Sequence, residues 1–283
     1  MKRRNFLKLI TKGAILGLFA PNALAAVSKT SPATSWERRD DYIKDYLHKM
    51  QNFNRHHEGD IYLDREKYRL LSSSVKRLYR LQRTVGHGNF YLLNFDDAIK
   101  VARNYSQVGR FPKRELDFME MIFYADGGIY GFSGEKPLKH LTDRIKIREV
   151  VKVPYTGNYL YEGLPFETYK DIKRDLGDKV ILTSGVRSIM KQFLLFLNKA
   201  YKSKGNLSVA SRSLAPPGYS FHGVGDFDVG QVGFGVANFT SRFAKTDVFR
   251  KLQELGYINL RYPRDNLLGV RFEPWHIKVN WNA

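Results

Sequence analysis

Two short segments in the C-terminal half of this chain carry side chains that make chemical sense only together, so any fold must bring them to one place. The first reads Ser220-Phe221-His222-Gly223-Val224-Gly225-Asp226-Phe227-Asp228, and the second Glu273-Pro274-Trp275-His276. Two imidazoles and one carboxylate fill three corners of a tetrahedral Zn²⁺ site and leave the fourth open for water. A second carboxylate beside the last histidine can take that water's proton. The chemistry this points to is hydrolysis. A third segment, Thr183-Ser184-Gly185-Val186-Arg187-Ser188, adds an arginine at a strand-to-helix turn.

Cysteine is absent from all 283 residues, which excludes disulfides, thiolate metal sites and a cysteine nucleophile at once. With 43% hydrophobic and 14% aromatic residues, the chain has enough apolar side chain for one large or two small cores.

The N-terminus reads as an export leader. Lys2-Arg3-Arg4-Asn5-Phe6-Leu7-Lys8 precedes an apolar run from Gly13 to Ala20, then Pro21 and the small residues Ala23-Leu24-Ala25. The paired arginines look like those of a twin-arginine leader, with cleavage expected after Ala25. The apolar run is too short to span a bilayer, which takes about 20 residues. No transmembrane span is expected in the mature chain, which is expected in the periplasm or at the cell surface.

The formal charge is +19, and the five basic, acid-free residues of the leader leave +14 on the mature protein. Nucleic acid is not the expected partner, because no DNA- or RNA-binding motif is present and the protein is exported. Anionic cell-envelope polymers suit the charge better.

Along the chain, residues 26–35 form a linker and residues 36–149 a helical accessory region. Helical patterns run over 36–54, 65–83 and 94–105, and a further helix begins at Pro112 and runs to Gly127-Gly128. From residue 150 short β-rich runs alternate with helices. Strands are expected over 150–153, 179–183, 206–210, 257–261 and 269–280, and helices over 165–176, 188–202 and from Thr246 to Gly256. The fold class is therefore α+β: an N-terminal helical region followed by a small mixed or antiparallel sheet, flanked by helices and carrying the zinc site. Residues 150–283 form the catalytic domain.

The three motifs, in this order, resemble the D-Ala-D-Ala zinc carboxypeptidases of the VanY type, whose pattern is Ser-Gly-Tyr-Arg-Ser, Ser-x-His-x-x-Gly-x-Ala-x-Asp and Glu-x-Trp-His. The resemblance implies that His222, Asp228 and His276 bind Zn²⁺. It further implies that Glu273 is the general base, that Arg187 steadies the substrate and its oxyanion, and that Ser220 contacts substrate. Two departures stand out. The family spaces its histidine and aspartate by seven positions, whereas Asp228 follows His222 by six with Phe227 in place of the alanine, so either Asp228 or Asp226 is the ligand. Val229 after Asp228 fits the family and favours Asp228. Val186 replaces the tyrosine before the arginine.

The expected activity is thus that of a zinc metallopeptidase acting on D-Ala-containing peptide stems of peptidoglycan. A D,D-endopeptidase or L,D-carboxypeptidase on the same polymer, and a catalytically silent zinc-containing envelope-binding protein, are the rival readings. The remaining histidines, His48, His56, His57, His87 and His140, lack such company, and the segment from Arg55 to Asp60 reads as a polar loop.

Overall fold

Helix caps and glycine stops place most of the elements. The structure is a computed structural model that describes residues 35–279, so the leader and nearly all of the linker lie outside the described residues. The chain divides into two compact units, Met1–Asp41 and Tyr42–Ala283. The first supplies the start of helix α1 (Ser35–Gln51); everything below concerns the second.

Four further helices precede residue 150: α2 (Arg65–Val85), the short α3 (His87–Phe90), α4 (Phe95–Asn104) and α5 (Lys113–Tyr124). Asp64 caps α2 by accepting from the Lys67 amide, and Asn94 caps α4 by accepting from that of Asp97. α5 ends at Ala125 rather than at the glycine pair, which instead opens a 3₁₀ turn, Gly127–Tyr130. Its Met119 and Phe123 are buried as the spacing requires, and Leu116 packs against the same cluster.

Beyond residue 150 a two-stranded antiparallel ribbon, β1 (Val150–Lys152) with β2 (Tyr159–Tyr161), leads into α6 (Leu164–Leu176). Strand β3 (Val180–Ser184), helix α7 (Ile189–Lys202) and helix α8 (Leu207–Ser213) follow. Strand β4 (Phe227–Gln231), helix α9 (Asp247–Glu254) and strand β5 (His276–Ile277) complete the order. β3, β4 and β5 form one antiparallel sheet with β4 in the middle.

Two expectations are corrected. Residues 206–210 are the start of helix α8, not a strand. Asn206 caps that helix by accepting from the Val209 amide at 2.8 Å, and Gly205 closes α7 with a positive φ of 85°. Every residue of α8 is buried, its polar ones included, and over 206–209 polar and apolar residues alternate as in a strand, while Ser211 and Arg212, which complete the helical spacing from Ser208, lie beyond. The strands expected over 257–261 and 269–280 shrink to the two residues of β5, with one isolated bridge from Leu260 to Ile277. The rest of that stretch pairs irregularly, Arg271 N donating to Arg212 O and Glu273 N to Tyr262 O.

Two main cores result. Leu71, Val75 and Leu78 of α2 recur at helical spacing and pack with Phe193, Phe196 and Leu197 of α7 and with Ala210 of α8. Helices from both sides of residue 150 therefore share this cluster. The second core lies between the sheet, α6 and α9, where Phe227 and Val229 of β4 meet Leu182, Tyr169 and Leu252. Because strand side chains alternate, burying Phe227 and Val229 on that face turns Asp228 to the opposite one.

Candidate metal centre and active site

Strand register assembles the site. Asp228 on β4 pairs with Ser184 on β3 and with His276 on β5, so residues from three strands stand side by side across the sheet. A β-bulge between Leu182 and Ser184 sets that pairing. His222 comes in on a 3₁₀ turn, Phe221–Gly223, just before β4. His222, Asp228 and His276 each offer one ligand atom, and these lie within 4.8 Å of one another in a fully buried cluster.

The hydrogen bonds fix which atoms face inward. His222 Nδ1 donates to the carbonyl oxygen of Gly185 at 2.8 Å, leaving Nε2 as an acceptor. Burial, with Arg187 nearby, pushes the pKa of His222 down to about 4 against the pull of Asp228, which keeps the ring neutral. Nε2 lies 3.2 Å from Oδ1 of Asp228, and neither atom has a hydrogen-bond partner. Two buried acceptors at that separation repel unless a cation lies between them, so the residues fit a metal ion.

His276 is turned the other way. Its Nε2 donates to Oδ2 of Asp226 at 2.9 Å, and its Nδ1 lies 3.3 Å from Oδ1 of Asp228. Burial lowers its pKa, but the hydrogen bond to Asp226 and the negative charge of Asp226 and Asp228 outweigh that and raise it to about 9. Asp226 is thereby a support rather than a member of the cluster. Its oxygens also accept from Arg261 Nε at 2.6 Å and from the Val279 amide at 2.9 Å. Burial raises its carboxyl, but His276 and Arg261 together hold it at about 2. Of the two aspartates left open by the sequence, the geometry gathers Asp228 with the histidines.

Arg187 closes the other side of Asp228. Its Nη2 donates to Oδ2 at 2.5 Å and its Nε to Ser184 Oγ at 2.8 Å. The Asp228 carboxyl is held well below its usual range, burial being opposed by His222 and Arg187. Ser188 caps α7 immediately after this arginine and donates from its hydroxyl to Phe90 O, tying α3 to the motif. Gln192 is buried and bridges the Arg187 carbonyl and the Gly218 amide, so it braces the backbone of the turn rather than the guanidinium.

Glu273 is buried, with Oε2 3.7 Å from His276 Nδ1 and Oε1 3.8 Å from Arg271 Nε. Burial pushes its pKa up while Arg271 and His276 pull it down. A carboxyl raised in this way and set beside the His222, Asp228 and His276 cluster suits a group that accepts and returns a proton. These groups line a cavity of about 290 Å³ that Ser220, Tyr91, Lys191, Tyr262 and Trp275 also face. Trp275 packs into the second core and against Phe239, and Phe221 lies under the Arg261 guanidinium at 3.4 Å, so both fix ligand-bearing segments.

Sequence motifs alone missed Lys191 and Arg271. Lys191 sits in the first turn of α7, four residues after Arg187, and Arg271 lies two residues before Glu273; in each pair both side chains face the same cavity. His56 and His57 stay in the loop before α2, away from the cluster, where His57 N donates to Asp60. Among the described residues no helix is long and apolar enough to cross a membrane.

The recognition carried by the three motifs is borne out. Residues 166–280 match the family model for VanY, D-alanyl-D-alanine carboxypeptidase. Among solved structures, the LdcB LD-carboxypeptidase, described for its peptidoglycan recognition, is 24% identical over 42% of this chain and 58% of its own. The chain therefore spans less than two thirds of that protein. A mutant of the vancomycin resistance D,D-pentapeptidase VanY from a VanB-type cassette, in complex with Zn(II), is 29% identical over 45% of this chain and 76% of its own. VanYB in complex with D-alanine-D-alanine is 29% identical over 45% of this chain and 75% of its own. The TM-score is 0.36 in all three cases. No curated protein sequence matches significantly.

Proposed function

We propose that this chain is a zinc-dependent metallopeptidase of the D-alanyl-D-alanine carboxypeptidase type, hydrolysing D-Ala-containing peptide stems of peptidoglycan. The observation that carries this reading is the pair of buried, unpartnered acceptors, His222 Nε2 and Asp228 Oδ1, 3.2 Å apart inside a segment that matches the family. His222 through Nε2, Asp228 through Oδ1 and His276 through Nδ1 would hold the ion. Once bound, zinc supplies Lewis acidity that lowers the pKa of water to about 7 and polarises a carbonyl.

The protein's own groups do the rest. Glu273 takes the proton of the attacking water on its carboxylate and returns it to the leaving amine, so the proton count balances over the cycle. Arg187, anchored through Ser184 and Asp228, presents a fixed positive charge to the developing oxyanion. Ser220 faces the same cavity and contacts the bound peptide. Asp226 accepts from Nε2 of His276 and Gly185 from Nδ1 of His222, so the rings turn Nδ1 and Nε2 respectively toward the ion, and His276 would give up its Nδ1 proton as the ion binds. Residues 150–283 serve as the catalytic domain and 36–149 as its helical accessory region. Export by the twin-arginine route places the protein in the periplasm or at the cell surface, where its positive charge suits anionic envelope polymers.

Elemental analysis of the purified mature protein tests the metal, and product masses from defined muropeptides test the reaction. About one zinc per chain in wild type and near none in His222→Ala, with release of a terminal D-Ala by wild type alone, is the expected result. A wild-type protein that stays empty when zinc is supplied would sink this reading.

A further inference from the structure

A second pocket, of about 440 Å³, adjoins the metal cavity, and Arg271 lines both. The end of α1 and Phe53 supply one wall, and Arg264 and Phe272 supply the other. Leu47, Met50, Phe53 and Phe272 make it partly apolar, and among the described residues no acidic side chain faces it. Two cations face it, one with no carboxylate in ion-pair distance among the described residues and one with only a long contact to Glu273. Arg264 lies over the Phe272 ring at 4.1 Å, with no carboxylate within ion-pair distance among the described residues. Arg271 Nε is buried without a hydrogen-bond partner, 3.8 Å from its nearest carboxylate oxygen on Glu273. The one hydrogen bond of that guanidinium runs from Nη1 to Phe239 O.

Arg271 is also held rigidly. Its guanidinium lies between the rings of Phe53, at 4.6 Å, and Trp275, at 4.8 Å. Its amide donates to the carbonyl of Arg212, whose own guanidinium donates to the carbonyls of Phe53 and Arg55. The buried Nε–H has no acceptor among the described residues, which costs stability, and the terminal nitrogens of this partly exposed side chain can meet a carboxylate that enters the pocket. Arginine planes stacked on aromatic rings are suited to receive a carboxylate without reorganisation.

We propose that this pocket binds an acidic side chain of the peptide substrate, its carboxylate received between Arg271 and Arg264, on the retained side of the scissile bond. The assignment rests on the peptidase reading above and deepens it. A carboxypeptidase releases only a terminal residue, so the longer, retained part of the peptide is the part able to run across Arg271 into the neighbouring pocket. The enzyme would thus read an acidic residue remote from the bond it cuts, using a wall supplied by the helical region.

The test uses zinc-loaded mature protein and pairs of peptides sharing one scissile bond. Within each pair, one upstream residue carries either a carboxylate or the matching amide, as Glu against Gln, and that residue is moved one position at a time. Wild type should prefer the carboxylate at one position by about 10- to 100-fold in kcat/KM, the effect of a charge-assisted hydrogen bond. Arg264→Met, a change at the exposed rim, should cut that preference at least about fivefold, chiefly through KM. Arg264→Lys should restore part of it, and Arg271→Met should abolish it. Cleavage by wild type with no acid preference at any position overturns the proposal and leaves the peptidase reading standing, as does a preference unchanged in both arginine variants. Failure to cleave any of the peptides overturns both.

Discussion

Asp226 holds Nε2 of His276 at 2.9 Å, and that contact decides which face of the imidazole meets Asp228. The same carboxylate accepts from Arg261 and from the Val279 amide, so it is clamped from three directions. Removing its charge in Asp226→Asn leaves a group of nearly the same shape that can present either an oxygen or an NH₂ to the ring. Zinc affinity should fall about 10- to 100-fold, as for other carboxylates that support a metal-binding histidine. Competition against a chelator of known affinity measures this. An affinity equal to wild type would show that the ring orientation is set elsewhere.

Glu273 lies beside the cluster but offers no atom to it. Glu273→Gln should therefore keep about one zinc per chain while losing on the order of 10²–10⁴ in kcat, the usual contribution of a general base. Metal content and turnover measured on the same preparation separate the two effects. If zinc and activity were lost together, Glu273 would be a ligand; if activity persisted, another group would carry the proton.

Much of this was legible before any coordinates, and what was legible shares a physical cause. Helices α6, α7 and α9 announce themselves by local chemistry: a cap at Ser188 or Thr246, and a glycine stop at Gly177 or Gly256. The gathering of His222, Asp228 and His276 was readable because these residue types are rare in combination. Helix α8 was not, because Asn206-Leu207-Ser208-Val209 alternates as a strand would, and the polar residues at helical spacing, Ser208, Ser211 and Arg212, are buried instead of facing water. The choice between Asp226 and Asp228 was legible only through Val229, which favoured Asp228, since one residue of turn decides which carboxylate points into the cavity. Arg271 was invisible as a site residue because its role depends on Phe53, a contact between distant parts of the chain that no motif encodes.

Gly185 shows how tightly the arginine motif is built. A Cβ at this position would fall on the carbonyl oxygen of Tyr159 in the neighbouring ribbon, and the Gly185 carbonyl itself receives His222 Nδ1. Because the obstacle is backbone, the strand would have to move, dragging the histidine's acceptor with it. Gly185→Ala should lower both the melting temperature and the zinc content, even though no ligand is changed. A stable, fully loaded variant would mean that β2 and β3 separate more easily than their packing suggests.

The pair of Asp60 and Arg212 makes one contribution to the pH dependence of stability, away from the metal cluster. Arg212 Nη1 and Nη2 donate to the two Asp60 oxygens at 2.6 and 2.9 Å, and Asn206 and the His57 amide complete the carboxylate's partners. Burial raises the Asp60 pKa, but Arg212, Asn206 and His57 more than offset it and bring it to about 2. A carboxyl whose folded pKa lies below its unfolded value of about 3.9 adds stability that is fully present above that value. The contribution is lost as pH falls through about 2. Asp60→Asn removes it and leaves Arg212 buried without a counter-charge, which should cost about 3 kcal/mol at pH 7. As the pH drops from about 4 toward 2 the wild type should lose its advantage while the variant changes less, so their urea midpoints converge. Midpoints that stay equally far apart at both ends of that range would show that the shape of the Asp60 loop, not its charge, holds it to α8.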